Sequence, residues 1–444
     1  MKMTVRGILF FFIYFFLVTL PLSTAMVSNP LRLGGSFTIE LGVGAGFIGL
    51  SLMVLEFALI SRIKFAAQPF GEDALQLFHN MMGILALCLL LVHPLLLIFS
   101  GYPAFTWLNP FASAGNAATR TASLALYALI LLVVTSAWRE KLRIPYEWWQ
   151  VFHGLLSIFI LLAAMVHIYM IGRYSTTDIM RALWALYAVL VVGLIVWYKI
   201  IQPLTRWNKR WVVVDNKAER GAAHTLVLKP EGHDGLNFEP GQYAWIKGGR
   251  SPLGYGQHPI SFSSSAETKP GGEVSFTIKE LGDWSSEEVP NLQPGEFMYL
   301  DGPYGVLSSD REQGMGYVLI AGGIGITPLY SMCQTMAERE DKRPVLLFYG
   351  AGKWEDLTFR EGLEALKARM NLQVIYVLQD PPENWQGERG YLDTGIVKRY
   401  MPKYFKHYVY FICGPAPLMD AMEIALPELG VPREKVLSER FSMS

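Results

Sequence analysis

Four histidines lie inside strongly apolar runs as two copies of one spacing. His79 and His93 sit in LQLFHNMMGILALCLLLVHPLLL, and His153 and His167 in WWQVFHGLLSIFILLAAMVHIYM, fourteen residues apart in each. Fourteen residues of α-helix rise about 21 Å and return to within about 40° of the starting direction, so both rings of a pair share a face. Two such helices side by side present two stacked sites, each with one imidazole from either side. Between the histidines of either pair there is no carboxylate and a single cysteine, Cys88, which serves four-coordinate zinc poorly. Paired imidazoles are usual axial ligands for haem iron. Two such sites, about two thirds of a bilayer apart, would make an electron wire across a membrane.

The elements that must position these rings can be read from composition. The 38 basic and 38 acidic residues cancel, but the average hides two halves. Up to about residue 205 the chain is mostly apolar, and after it charges and strand-like alternation begin. Six stretches near residues 7–27, 39–60, 75–99, 121–138, 148–171 and 180–200 are long enough to cross a bilayer. Lys2 and Arg6, Arg62 and Lys64, Arg139, Lys141 and Arg143, and Lys199, Arg206, Lys209 and Arg210 cluster on alternate loops. The positive-inside rule then predicts a multi-pass protein of the cell (inner) membrane with both termini cytoplasmic. LPLSTAM offers a plausible cleavage site after the first span, but a retained helix is expected. Glu56, within the second span, is read as snorkelling to the inner interface. Cys88, Cys333 and Cys413 do not make a disulfide framework, and no nucleic-acid-type basic patch is present.

From Trp211 short alternating runs such as WVVVD, HTLVLK, GQYAWIK, VSFTIKE and FMYLDG, parted by turn residues, predict a small antiparallel barrel. From Gly316 the pattern becomes βα: GYVLIAGG, PVLLFYGAG, LQVIYVLQ and HYVYFICG are strands, and their alternation with helices implies a parallel sheet covered on both faces. The turn Gly322-Gly323-Ile324-Gly325-Ile326-Thr327-Pro328 suits phosphate, with Thr327 expected at the N-cap and Pro328 at the first helical position. Cys413-Gly414-Pro415 forms a second strand end. In the barrel, HPISFSSS (His258 to Ser265) carries a histidine and several hydroxyls, Ser263 and Ser264 among them, that suit a flavin. Lys353, after the second strand, is a candidate for a ribose 2′-phosphate.

In the order of these segments, with ELGDWSSEE, DGPYG and LFYGAGKWEDLTF between them, the chain resembles the NADPH oxidase and ferric reductase superfamily over nearly its whole length. The resemblance implies a multi-domain membrane protein of ferredoxin-reductase type. It would have a transmembrane haem domain of six helices (residues 1–205), an antiparallel FAD-binding β-barrel (206–312) and an α/β Rossmann-like NAD(P)H domain (313–444). It implies that His79 and His153 ligate an inner b-type haem, and His93 and His167 an outer one. His258, Pro259, Ile260 and Ser261 would form the main flavin segment, with Ile260 standing where an aromatic residue is often found. Gly282, Asp283, Trp284 and Ser285 would form a second flavin segment, with backbone N–H groups toward the pyrophosphate. Gly322, Gly323, Gly325, Thr327 and Pro328 would hold the nucleotide, with Cys413, Gly414 and Pro415 beside the nicotinamide. Phe441 would stack over the flavin as a gate.

The expected path runs from NADPH (or NADH) to FAD, then across the two haems to an external acceptor. Oxygen, giving superoxide or peroxide, is expected there. A ferric or cupric chelate, or an external protein, is the alternative. No EF-hand loop precedes the first span, so no obligatory cytosolic activator is expected.

Overall fold

In the computed structural model, residues 5–28, 36–62, 70–101, 108–111, 116–172, 174–249, 251–253 and 256–440 are described. The chain divides into two compact units at Ile201 and Gln202.

The first unit holds α1 (Val5–Ser28), α2 (Phe37–Leu59), α3 (Glu72–Phe99), α4 (Ala117–Ala137), α5 (Tyr146–Ile171) and α6 (Asp178–Val196). Among the described residues these are the six helices long and apolar enough to cross a membrane, with windows of mean hydropathy 1.8 to 2.6. Helix is the only open-ended solution in hydrocarbon, because it satisfies its own N–H and C=O groups. The core of this unit centres on α2, where Leu50, Leu52, Val54 and Leu55 are buried, and on Leu129, Ile160, Trp184 and Tyr187.

The second unit opens with six antiparallel strands. They are β1 (Arg210–Glu219), β2 (Ala223–Pro230), β3 (Tyr243–Gly248), β4 (His258–Ser261), β5 (Val274–Lys279) and β6 (Phe297–Tyr304), in the order β4-β3-β6-β1-β2-β5. A bridge between Phe262 and Phe276 joins the two outer strands and curls the sheet on itself. Its interior is Trp211, Leu226, Leu228, Ile246, Phe262, Phe276 and Met298.

A parallel sheet follows, in the order β10-β9-β8-β7-β11-β12. Its strands are β7 (Tyr317–Gly322), β8 (Val345–Ala351), β9 (Leu372–Leu378), β10 (Glu388–Arg389), β11 (Val409–Cys413) and β12 (Val436–Ser438). The helices are α7 (Ile326–Glu338), α8 (Arg360–Lys367), α9 (Thr394–Tyr400) and α10 (Ala416–Glu428). Alternation along the strands sends Leu319, Leu347 and Phe411 into one buried layer and Ile320, Phe348 and Ile412 into the other, so both faces are covered.

Candidate functional site

The four intramembrane histidines meet in pairs. The ring centres of His79 and His153 lie 6.3 Å apart, and those of His93 and His167 lie 6.4 Å apart. An ion with metal–nitrogen bonds of about 2.0 Å on either side, and about 1.1 Å from each nitrogen to its ring centre, spans about 6.2 Å.

The other ring nitrogen of every histidine is engaged. His93 Nδ1 is 2.8 Å from the Gly42 carbonyl, and His167 Nδ1 is 2.9 Å from that of Ala118. A carbonyl only accepts, so each Nδ1 carries the proton. His153 Nδ1 is 3.2 Å from Ser136 Oγ, which already donates to the Leu132 carbonyl at 2.7 Å. That hydroxyl therefore accepts from His153. His79 Nδ1 meets the Glu56 carboxylate. Each ring thus turns its Nδ1 to a partner on a neighbouring helix, which leaves Nε2 as the nitrogen available to ligate a metal.

Helix α2 makes this possible by coming close to α3. A Cβ on Gly42 would meet Leu96 Cβ at 3.1 Å, one on Gly46 would meet His93 Nδ1 at 3.0 Å, and one on Gly49 would meet Leu90 Cγ at 2.8 Å. The motif Gly42-Val43-Gly44-Ala45-Gly46 is a small-residue helix contact of the G-x-x-x-G kind, a signal of close helix approach that the sequence carries in plain form. Glu56 is a correction: it is 7 % exposed and turned onto His79, not toward the interface. A cavity of about 300 Å³ opens between the helices, lined by Gly46, His93, Leu129, Ala164 and His167 among others.

Among the described residues no group of three or more His, Cys, Asp or Glu side chains could hold a metal ion. A bare ion between either histidine pair would have two protein ligands. A flat macrocycle that brings four of its own ligands suits such a pair and an apolar slot, so the residues present fit haem.

In the parallel sheet, β7 is flanked by β8 on one side and β11 on the other, so the strand order reverses between β7 and β11. Ligands of open α/β sheets bind at the carboxyl ends of strands at such a point. Both glycine turns end there, with Ala321 paired to Cys413. A Cβ on Gly325 would come within 2.3 Å of the Cys413 carbonyl oxygen, and one on Gly414 within 3.0 Å of Gly322 Cα. These glycines let the two turns close on each other. Gly323, at φ +53°, faces open space. Thr327 and Pro328 need a correction. The glycine turn winds straight into helix, which begins at Ile326 with Gly325 at its N-cap, and Thr327 Oγ1 donates to the Ile324 carbonyl at 2.8 Å. Pro328 falls in the first turn, where no N–H partner is required.

The two barrel segments read as flavin-binding also come together. The His258 ring stacks on Trp284 at 4.0 Å and 9°. Pro259 and Ile260 lie between His258 and Ser261 on β4, and Ser261 is buried. Ser263 Oγ accepts from Thr277 at 3.0 Å, and Ser264 Oγ from the Ser275 N–H at 3.1 Å, so both hydroxyls serve the barrel. The Gly282 N–H donates to Ser285 Oγ at 2.9 Å, so this backbone group is already used within the turn. Phe441 lies outside the described residues.

Two families of known proteins match parts of the chain. A family described as "Ferric reductase like transmembrane component" matches residues 45–164, and "Oxidoreductase NAD-binding domain" matches residues 319–423. The chain has the NADPH oxidase/ferric reductase-type architecture. It is similar to the xylene/toluene monooxygenase electron transfer component XylA of Pseudomonas putida, at 32 % identity over 46 % of this chain and 58 % of that protein. It is also similar to NADH-cytochrome b5 reductase 2 of Debaryomyces hansenii, at 32 % identity over 37 % of this chain and 61 % of that protein. The chain thus spans about three fifths of the length of these relatives. Among solved structures it is similar to the ferredoxin reductase in carbazole 1,9a-dioxygenase, at 24 % identity and TM-score 0.46, covering 52 % of this chain and 69 % of that one.

In this NADPH oxidase/ferric reductase-type architecture, Glu439 joins the residues around Cys413. Glu439 is 2 % exposed and accepts from the Val306 N–H at 3.2 Å. Burial, aided by the Glu439 charge, pushes the Cys413 thiol up to about 12, so it stays protonated at neutral pH. Lys353 follows β8 by two residues at the start of the short turn Trp354–Asp356, with Nζ 3.8 Å from an Asp380 carboxylate oxygen, both side chains exposed. Nothing local in the sequence marks Glu439 or Asp380, which meet Cys413 and Lys353 only once the sheet has folded.

Proposed function

We propose that this chain moves electrons from NAD(P)H, through FAD and two b-type haems, to an acceptor across the membrane, foremost O₂ reduced to superoxide or H₂O₂. The observation that carries the reading is the pair of histidine sites, each spaced for one metal and each ring held at Nδ1 by a residue of a neighbouring helix. Haem supplies one-electron conduction through the bilayer, and flavin converts the two-electron hydride into single electrons. His79 and His153 hold one haem, and His93 and His167 the other. Gly42, Ala118, Ser136 and Glu56 fix those rings.

Six alternating spans put the starts of α3 and α5, with His79 and His153, on the side where the chain leaves α6. Basic residues crowd that side, so it is read as cytoplasmic. The Gly323 turn and Gly414 accept the dinucleotide at the strand reversal. Cys413, held neutral, lies beside the nicotinamide as an apolar wall rather than a nucleophile. His258, Trp284 and the residues around them hold the flavin.

The test is haem quantitation on purified full-length protein, with NADPH- and NADH-driven reduction of cytochrome c. Two haems per chain and a rate abolished by superoxide dismutase support the reading. The family match at residues 45–164 keeps a ferric reductase in view. A rate that needs a ferric chelate and survives without oxygen selects that acceptor. A rate that needs an added external protein selects the third. A colourless protein refutes the reading.

A further inference from the structure

The two histidine sites differ in one respect. Gly42 and Glu56 are fourteen residues apart on α2, as His79 and His93 are on the antiparallel α3. The same face of α2 therefore meets each histidine of α3. At His93 it offers a neutral peptide carbonyl. At His79 it offers a carboxylate, 7 % exposed and well inside the span. The partner rings also rest on neutral groups, the Ala118 carbonyl and the Ser136 hydroxyl. Of the four imidazoles, His79 alone is described with an anionic acceptor.

A carboxylate in hydrocarbon is expensive, and one placed against a metal-ligand ring has a definite electronic effect. It draws the Nδ1 proton, raises the basicity of the ring and strengthens Nε2 as a donor. Its negative charge also favours the more positive of two iron states, and does so strongly where the dielectric is low. Both effects stabilise ferric over ferrous iron.

We propose that Glu56 makes the haem held by His79 and His153 the stronger reductant of the two, so that an electron placed there falls to the haem held by His93 and His167. The inference rests on the haem reading above. The exchange is one electron, with ferrous iron at the first site oxidised and ferric iron at the second reduced, and no bond to protein breaks. Glu56 acts through His79 and is a positioning residue.

Mediated redox titration of the purified two-haem protein, followed in the α band, tests this. The wild type is expected to titrate in two steps at least tenfold apart in equilibrium constant, which is about 59 mV for a one-electron couple. Glu56→Gln is expected to raise the lower step by tenfold or more, leave the upper step in place and alter the ferric low-spin resonance of one haem only. Ser136→Ala, which removes a neutral acceptor, is expected to shift the lower step less than threefold.

A Glu56→Gln protein with two haems and an unmoved lower step overturns the inference, and so does movement of the upper step alone. Should that variant not fold, the double variant His93→Ala with His167→Ala decides, since its remaining haem must titrate with the lower wild-type step. Coincidence with the upper step overturns the proposal. A preparation without haem sinks the reading beneath it as well, whereas two haems with no shift sink this inference alone.

Discussion

Gly46 is the position where one methylene decides whether a histidine keeps its place. An added Cβ would lie 3.0 Å from His93 Nδ1, 3.3 Å from Cγ and 3.4 Å from Cε1. Ordinary contact would require the ring to retreat by about 0.5 Å. The ring is tied to the Gly42 carbonyl at 2.8 Å, so such a retreat stretches that bond close to the limit of hydrogen bonding. Losing it costs about 0.5–1.5 kcal/mol, and loss of an outer-shell partner commonly weakens a metal site about 10–100-fold. Gly46→Ala is therefore expected to bind two haems, one of them about tenfold more weakly. Gly46→Leu, whose side chain also enters the 300 Å³ cavity, is expected to retain one haem per chain. Gly44 is the internal control: its Cβ would meet only Leu22, at 3.7 Å, and Gly44→Ala should behave as wild type. The assay is pyridine haemochrome content per chain, with a visible spectrum. Two haems and an unaltered spectrum in Gly46→Leu would refute the argument.

Other perturbations follow from the same structure. Cys333 and Cys413 are both pushed from about 9 up to about 12 by burial, so the folded unit keeps these protons above pH 9 while the unfolded chain releases them. Stability should therefore fall as pH rises from about 9 toward 12, by about 1.4 kcal/mol per thiol per pH unit, and Cys333→Ala should make denaturant melts measurably less alkali-sensitive. Asp301, 5 % exposed, pairs with Arg206 at 2.5 Å and accepts from Tyr304 at 2.8 Å and Gln202 at 3.2 Å. Asp301→Ala leaves the guanidinium unpaired and should cost about 3–5 kcal/mol, and a thermal melt unchanged from wild type would contradict that. Lys353→Ala should raise the KM for NADPH by at most about fivefold relative to NADH, because an exposed pair is worth about 1 kcal/mol or less. Asp380→Ala should favour NADPH, and equal effects on both dinucleotides would remove these residues from nucleotide selection.

The six helices were legible because length and hydropathy leave a membrane segment few options, and the histidine pairing was legible because a period of fourteen survives any helix packing. The barrel runs around Trp211, Ile246 and Phe276 showed their alternation. The turn at Gly322 was visible, but its fit against Gly414 was not, since those residues meet only after the chain has crossed the sheet. Glu56 was misread for a similar reason. Hydropathy locates a carboxylate along a span and says nothing of the helix beside it, and only the approach permitted by Gly42, Gly46 and Gly49 brings Glu56 to His79.

Helix α7 is sewn to the neighbouring barrel along one side. Ser331 donates to the Ser264 carbonyl at 2.7 Å, Thr335 Oγ1 accepts from the Ala266 N–H at 2.9 Å, and Glu338 accepts from Ser265 at 2.7 Å. Those three stitches run for two turns of the helix that opens just after the Gly322 turn. A swinging hinge between the two sheets would have to tear all of them at every turnover. Traffic of the dinucleotide in and out must then be managed by pieces smaller than a domain, and the catalytic cycle works on a chassis that stays shut.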